Sequence, residues 1–201
     1  MNQLNIRRFS GEIVYPKYGT PVIYFLRLLL WSFVPLLTAC GGDLDAGPSP
    51  QTTITSSFVP EVANTPDNGV SLKQKSVQGD MIILNLIVTS LAALSSGAAF
   101  DVEFDSNLVS FTGFAAGTFY ESTSPAIYEV GLQAGTNNRL VGGITQQAGP
   151  GVTGSGILIE LQFKAIGIGT SALKFTNNNL IDPSGNLIPG LTWSGGILTG
   201  S

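Results

Sequence analysis

Apolar and polar residues alternate along several short stretches of the second half of the chain. In AFDVEFD, for example, Phe100, Val102 and Phe104 alternate with acidic residues. Successive side chains of a β-strand point to opposite faces, so this pattern predicts a strand with one buried and one solvated face. The same alternation predicts inward-facing side chains in three further stretches: IYEVGLQ (Tyr128, Val130, Leu132), GILIELQFK (Ile157, Ile159, Leu161, Phe163) and ALKF (Leu173, Phe175).

One further stretch, MIILNLIVT, is apolar on both faces, which predicts a strand that is covered on both sides. Clusters of turn-forming residues separate these runs, and only SLAALSS has a pattern that would fit a helical turn. Together these features predict an all-β fold, a β-sandwich of about nine strands over residues 70–201. The turns are expected at Ser95–Gly97, Gly135–Asn138, Gly149–Gly151, Gly167–Thr170 and Pro183–Asn186.

The composition fits such a domain and narrows its chemistry. Only 11% of the residues are charged, less than half of the roughly 25% of an average soluble domain. The net charge is -4 and no basic patch occurs, so no nucleic-acid partner is expected. The chain has no histidine, which excludes His-based catalytic triads and His metal sites. No cofactor is expected.

The N-terminal part has the pattern of an export signal. Leu28–Leu37 is apolar except for one serine, and Lys17 and Arg27 lie upstream. Ten helical residues rise only about 15 Å, half of a bilayer core of roughly 30 Å, so this run is too short to span a membrane. Residues 1–39 are therefore predicted to be a signal peptide. Its first 21 residues do not fit the pattern, and the true translation start is left open.

Leu37-Thr38-Ala39-Cys40 resembles the lipobox of bacterial lipoproteins, and Cys40 is the only cysteine in the chain. The resemblance implies that Cys40 receives a diacylglycerol and becomes the N-terminus after cleavage. More than one acyl chain makes membrane attachment stable, because each buried methylene contributes about 0.8 kcal/mol. The alternative is an ordinary signal peptide with a coincidental cysteine.

The residues after Cys40 suggest where the protein is exported and how it is tethered. In the lipoproteins that the chain resembles, Asp after the cysteine retains the protein in the inner membrane. Gly41 therefore implies the outer membrane, with the outer face of the cytoplasmic membrane as the alternative. Residues 40–69 are rich in Pro, Ser, Thr and Gly, which predicts a flexible linker.

Three segments, GDMIILNLIV, AAFDVEFDSNLVSFTGF and GSGILIELQFKAIGIGTSALKFTNNNLIDPSGNLIP, resemble cohesin domains in their order and spacing. The resemblance covers about Val70 to Thr199. It implies a jelly-roll sandwich whose flat sheet face contacts a protein, which in cellulosomal cohesins is a dockerin. The positions early in the third cohesin strand, where polar residues meet the dockerin, are Gly97 and Ala99 here.

The strand phases place one set of side chains on the solvated face of a single sheet. We predict that this flat, slightly acidic face binds a protein partner, and the alternative is an ordinary solvated sheet face. The predicted residues are Ala99, Asp101, Glu103, Glu129, Gln133, Val141, Thr145 and Lys174.

Several other motifs suggest chemistry. Gly149–Gly154 matches G-x-G-x-x-G, but a strand rather than a helix is predicted after it, so a nucleotide site is not expected. NNNLIDPSGN lacks the alternating acidic ligands of a calcium loop and is predicted to be a turn, and no metal site is expected. Asp101 and Glu103 lie roughly 6.6 Å apart along a strand, within the spacing of a glycosidase pair. Ordinary solvated carboxylates are the preferred interpretation.

The sequence thus predicts a non-catalytic, membrane-anchored binding module that contacts a protein of the cell envelope, of dockerin type or another. The first alternative is a carbohydrate-binding lipoprotein associated with polysaccharide breakdown. Sugar contacts need exposed aromatic rings, for which Tyr120 and Trp193 are the candidates. The second alternative is a structural subunit of an envelope secretion apparatus.

Overall fold

A computed structural model of the chain describes residues 53–201. The predicted signal peptide (residues 1–39) and the lipidation residue Cys40 lie outside this range, as does the beginning of the predicted linker. Within the described range, no helix has the length and apolar character needed to span a membrane.

The described part of the chain consists almost entirely of β-strands, with one 3₁₀ turn at Tyr120–Ser122. The strands are β1 (Ser56–Pro60), β2 (Gly69–Gln78), β3 (Met81–Ser95), β4 (Gly97–Glu103), β5 (Val109–Ala116), β6 (Ala126–Leu132), β7 (Arg139–Gln146), β8 (Val152–Ala165), β9 (Gly169–Phe175), β10 (Asn179–Ile181), β11 (Thr192–Ser194) and β12 (Gly196–Gly200).

These strands form two sheets. The larger sheet has the order β1-β12-β9-β4-β7-β6, with the short β10 paired to β4, and the smaller has the order β11-β2-β3-β8-β5. All pairs are antiparallel except β11 with β2. The apolar core lies between the sheets, as the alternating pattern requires. The predicted all-β sandwich is confirmed. It has more strands than the sequence predicted because β1 and the three-residue strands lack a clear alternating pattern.

The apolar strand β3 occupies the middle of the smaller sheet. Its inward residues, Ile82, Leu84, Leu86 and Val88, are fully buried, whereas the outward residues between them are only half-buried. These outward residues are partly shielded from solvent by an ion pair that crosses over β3. It joins Lys75 of β2 to Glu160 of β8, with 2.6 Å between Nζ and Oε1. The prediction of cover on both sides is therefore correct only for the inner face.

A β-bulge between β3 and β8 changes one predicted phase. Leu86 pairs with Ile159, but the next residue, Ile87, pairs with Ile157, so β8 has one extra residue at Leu158. Leu158 is fully buried. Ile157 shares the outer face with Ile87 and is half-buried, so its predicted inward position was wrong.

The end of β3 also differs from the prediction, because SLAALSS continues the strand instead of forming a helical turn. Ser90 has a left-handed backbone (φ 47°). The backbone N–H of Ser90 donates to Ser155 Oγ at 2.8 Å, and that of Ala92 to Asn68 Oδ1 at 2.9 Å. These side-chain acceptors replace the bonds that a helix would make within the segment.

Leu132 is 43% exposed rather than buried. It is the last residue of β6, and β6 is the edge strand of the larger sheet. Tyr128 and Val130, earlier in the same strand, do pack against the core. The alternating pattern correctly identifies which residues of β6 point inward. It does not show where the end of an edge strand extends past the core residues that would bury it.

Part of the stretch assigned to a flexible linker belongs to the sandwich. Strand β1 pairs with the C-terminal strand β12 along its whole length. Thr55 and Ser201 exchange two backbone hydrogen bonds, of 2.8 and 2.9 Å. The following loop is held by Lys73, whose ammonium group donates to the carbonyl oxygens of Val62 and Ala63. The folded domain therefore extends N-terminally of Val70, to about Thr55.

Candidate functional site

The outer surface of β6, β7, β4 and β9, called here the candidate face, contains most of the residues predicted to bind a partner. In the strand register, Asp101 pairs with Val141, and Glu103 pairs with both Arg139 and Lys174. Paired residues of antiparallel strands point to the same side of the sheet. Seven of the eight predicted residues lie on this face: Ala99, Asp101, Glu103, Glu129, Val141, Thr145 and Lys174.

The eighth residue, Gln133, follows the last residue of β6. Its backbone N–H donates to the carbonyl oxygen of Arg139 at 2.9 Å, and its side chain is exposed. This hydrogen bond continues the β6–β7 ladder by one step. Gln133 therefore lies at the rim of the candidate face rather than within it.

The centre of the candidate face is made of very small side chains. Gly143 of β7 pairs with Ala99 of β4 on one side and with Glu129 of β6 on the other. Two partly exposed apolar residues lie nearby, Val141 (40% exposed) and Ile127 (48% exposed). The result is a flat surface with a shallow apolar centre, on which the backbone or a side chain of a partner can approach closely.

Asp101 is more buried than the sequence predicted, with only 8% of its surface exposed. The guanidinium group of Arg139 lies against its carboxylate and donates to Oδ2 from Nε at 3.1 Å and also from Nη2. Asn177 Nδ2 donates to the same oxygen at 3.0 Å. The side chain still points to the outer surface, but these two neighbours cover it.

Glu103 remains accessible, and Arg139 joins it to Asp101. The distance between Arg139 Nη1 and Glu103 Oε1 is 3.9 Å. The hydrogen bond with Asp101 raises the pKa of Arg139 above its usual value. Arg139 binds both carboxylates, so the three side chains form a charge network on the candidate face.

Three residues of this surface were not predicted from the sequence. Two of them could have been predicted from the alternating pattern. Arg139 lies two residues before Val141, and Ile127 lies two residues before Glu129, so both have the outward phase of their strands. Asn177 has no such signal. It lies in the loop after β9, and only the folded chain brings it to Asp101.

Tyr120 is not available for sugar contact. Its side chain is fully buried, and its hydroxyl group forms a 2.7 Å hydrogen bond with Ser95 Oγ. Burial raises the pKa of Tyr120 well above its usual value. The 3₁₀ turn directs this ring into the core next to Phe119, at 5.1 Å between ring centroids. The prediction of an exposed ring was therefore wrong, because the turn interrupts the strand period.

Trp193, the second aromatic candidate, is half-buried and lines a groove of about 620 Å³. Its ring packs edge-on against Phe175, with 5.2 Å between the ring centroids. The groove lies where the chain passes from β11 in the smaller sheet to β12 in the larger one. Its remaining walls come from the end of β1, the beginning of β12 and the end of β9: Val59, Pro60, Glu61, Ile197, Ala172 and Lys174.

The glycine-rich and Asn-rich motifs have local structural roles. Gly149–Gly151 form the loop before β8, which starts at Val152 without an intervening helix. The Asp182 carboxylate accepts hydrogen bonds from the backbone N–H groups of Ser184 and Asn186, each at 2.8 Å. These bonds close the turn, and the backbone and side-chain hydrogen bonds from Asn186 are the main cause of the lowered pKa of Asp182. Over residues 53–201, no three His, Cys, Asp or Glu side chains are grouped as metal ligands would be.

No protein-family model matches the chain, and no curated protein matches it in sequence. Solved structures do resemble it. The second type II cohesin module from the adaptor ScaA scaffoldin of Acetivibrio cellulolyticus is similar, with a TM-score of 0.52 and 14% sequence identity. The match covers 64% of this chain and 87% of that module.

Two further structures support the same comparison. The solution structure of CaCohA2 from Clostridium acetobutylicum has a TM-score of 0.52 and 16% identity, covering 64% of this chain and 87% of that one. A type II cohesin–X-dockerin complex from Acetivibrio cellulolyticus has a TM-score of 0.51 and 13% identity. The match covers 63% of this chain and 93% of that one. At these identities the comparison establishes the fold alone. The chain has a cohesin-like β-sandwich fold, as its sequence motifs predicted.

Proposed function

We propose that this protein is a non-catalytic binding module, anchored to a membrane through Cys40, which holds a protein partner on the candidate face. The observation that carries the proposal is the arrangement of this face. A flat centre formed by Ala99 and Gly143 lies beside exposed Val141 and Ile127, with charged side chains around it. Interfaces of modest size combine such an apolar centre with a polar rim.

The structural neighbours are consistent with a protein partner. One of them was crystallised as a cohesin–X-dockerin complex, so a dockerin-type module is the first partner to test. The exposed charges on the candidate face are Glu103, Glu129 and Lys174, because Arg139 and Asp101 neutralise each other. A partner surface with a small apolar contact and one or two basic groups at its edge would complement this pattern.

Arginine at the centre of the candidate face should abolish partner binding without unfolding the protein. Ala99→Arg and Val141→Arg each place a long charged side chain where the partner has to approach. Both positions point to solvent, so we expect stability to change by only about 0.5 kcal/mol. Capture from envelope extract by the immobilised protein, with the captured partner quantified by mass spectrometry, should fall at least tenfold, while the melting temperature is retained.

The matched control is Gln162→Arg. Gln162 has an outward position in β8, on the outer surface of the opposite sheet, and this variant should capture the partner normally. Normal capture by both candidate-face variants would contradict the proposal. Loss of capture in Gln162→Arg alone would assign the binding surface to the other sheet.

The proposed anchor is tested separately. Cys40→Ser removes the thiol that would accept the diacylglycerol, so the protein should appear in the soluble fraction and lose acyl-lipid labelling. Membrane fractionation with a high-salt wash measures this, and separation of the two membranes tests the proposed outer-membrane location. A Cys40→Ser protein that still sediments with membranes after the wash would show that lipidation at Cys40 is not the anchor.

A further inference from the structure

We propose that the groove beside Trp193 is a second binding site and that its ligand is a neutral sugar ring. This inference goes beyond protein binding at the candidate face. Volumes of about 300 to 1,000 Å³ are typical of small-molecule sites, and the groove has about 620 Å³. Three properties of its walls determine the class of ligand.

The first property is an aromatic wall. The Trp193 indole lines the groove and is held by its edge-on contact with Phe175. A half-buried ring fixed by a neighbour is a rigid surface that loses little side-chain entropy when a ligand packs on it. The C–H groups of a sugar ring present a flat apolar surface that matches such a wall.

The second property is an apolar rim that faces solvent. Val59 of β1 and Ile197 of β12 are cross-strand neighbours, and they are 64% and 47% exposed. Together with Pro60 they form an apolar part of the groove wall. A ligand in the groove would therefore remove apolar surface from water on two sides, which stabilises the complex.

The third property is a pair of opposite charges on the walls. Lys174 forms no ion pair with any other described residue. Glu61 uses Oε2 to accept a 2.9 Å hydrogen bond from the Gly195 backbone, and Oε1 accepts none within residues 53–201. An ammonium group only donates hydrogen bonds and a carboxylate only accepts them.

These opposite charges select among possible ligands. A hydroxyl group both donates and accepts, so a polyhydroxylated ring satisfies Lys174 and Glu61 at the same time. An acidic sugar would be attracted by Lys174 but repelled by Glu61, and a purely apolar side chain would remove both charges from water without bonding to either. A neutral saccharide can therefore use every wall of the groove.

Tryptophan fluorescence tests this proposal directly. The chain has two tryptophans, Trp31 and Trp193. Trp31 lies in the predicted signal peptide, so a Trp31→Phe chain has Trp193 as its only tryptophan whether or not that segment is removed. This protein is titrated with cellohexaose, xylohexaose, mannohexaose, laminarihexaose and chitohexaose, and with hexagalacturonate and leucine-enkephalin for comparison. We expect a saturable change in emission with at least one neutral oligosaccharide, at a dissociation constant below about 1 mM.

Variants then assign the binding to the groove. Glu61→Gln and Lys174→Met should each weaken it about tenfold, because each removes one charge-assisted hydrogen bond. The control Lys164→Met removes a lysine that is paired with Asp80 and does not line the groove, and binding should be unchanged.

Three results would overturn the proposal: no saturable change with any neutral oligosaccharide, stronger binding of hexagalacturonate or of the peptide, or full affinity in both groove variants. The proposed function would survive each of them. Val141, on which its test depends, does not line the groove.

Discussion

Replacing Phe163 by alanine is expected to lower the free energy of unfolding by about 3 to 5 kcal/mol. The Phe163 side chain of β8 is fully buried. Its ring packs edge-on against Phe104 and Phe111, each at 5.7 Å between ring centroids. Alanine would leave a cavity in the core beside Phe104 and Phe111, which the hydrogen-bonded strands β5 and β8 cannot close by moving together. Chemical denaturation of the purified protein measures the loss.

Phe114→Ala is the matched control, because Phe114 of β5 belongs to the same sheet but is 38% exposed. It touches Tyr128 at the margin of the core, at 6.5 Å between the ring centroids. The expected loss is about 1 kcal/mol or less. Phe104→Ala should resemble Phe163→Ala, since Phe104 is only 5% exposed. A loss below about 1 kcal/mol for both core variants would mean that the strand phases are inverted.

Two neighbouring glycines of β7, Gly142 beneath the candidate face and Gly143 on it, should respond very differently to alanine. A Cβ atom on Gly142 would lie within 2.7 Å of three carbon atoms of the Phe100 ring. Phe100 is 1% exposed, so its ring is surrounded by other core residues. We expect Gly142→Ala to destabilise the protein by about 1 to 3 kcal/mol through overpacking.

Gly143 is the control for this substitution. It points to the outer side of the same strand, and the nearest atom to its Cβ position, the Glu129 carbonyl oxygen, is 3.9 Å away. Gly143→Ala should therefore change the free energy of unfolding by less than about 0.5 kcal/mol. Equal effects of the two alanines in thermal denaturation would contradict the packing of Phe100 under β7.

The alternating pattern predicted the sandwich because most strands have one face in the core and one in solvent. Phe100, Val102 and Phe104 are buried as expected, and the same reasoning placed seven predicted residues on one outer face. The alternation of apolar and polar residues within one strand shows which side chains face the core, so the pairing partners of the strand did not have to be known.

The errors occur where a distant partner decides the local structure. Leu158 is the extra residue of a bulge, and only the pairing of the flanking residues of β8 with β3 shows that the phase changes there. Asp101 is buried by Arg139 and Asn177, the second of which lies 76 residues away in the chain. Tyr120 enters the core through a 3₁₀ turn, which has no period of two. The phase of β7 places Gly142 inward and Gly143 outward, but the sequence does not show that the ring of Phe100 lies against Gly142.

The central claim, that a protein partner docks on the candidate face, is tested most directly by photo-crosslinking in living cells. p-Benzoylphenylalanine is introduced in place of Val141 in one strain and in place of Gln162, on the outer surface of the opposite sheet, in another. We predict that irradiation joins the Val141 variant to a protein of discrete mass, whereas the Gln162 variant gives no adduct. Adducts of equal yield from both positions, or from Gln162 alone, would contradict the proposed binding face.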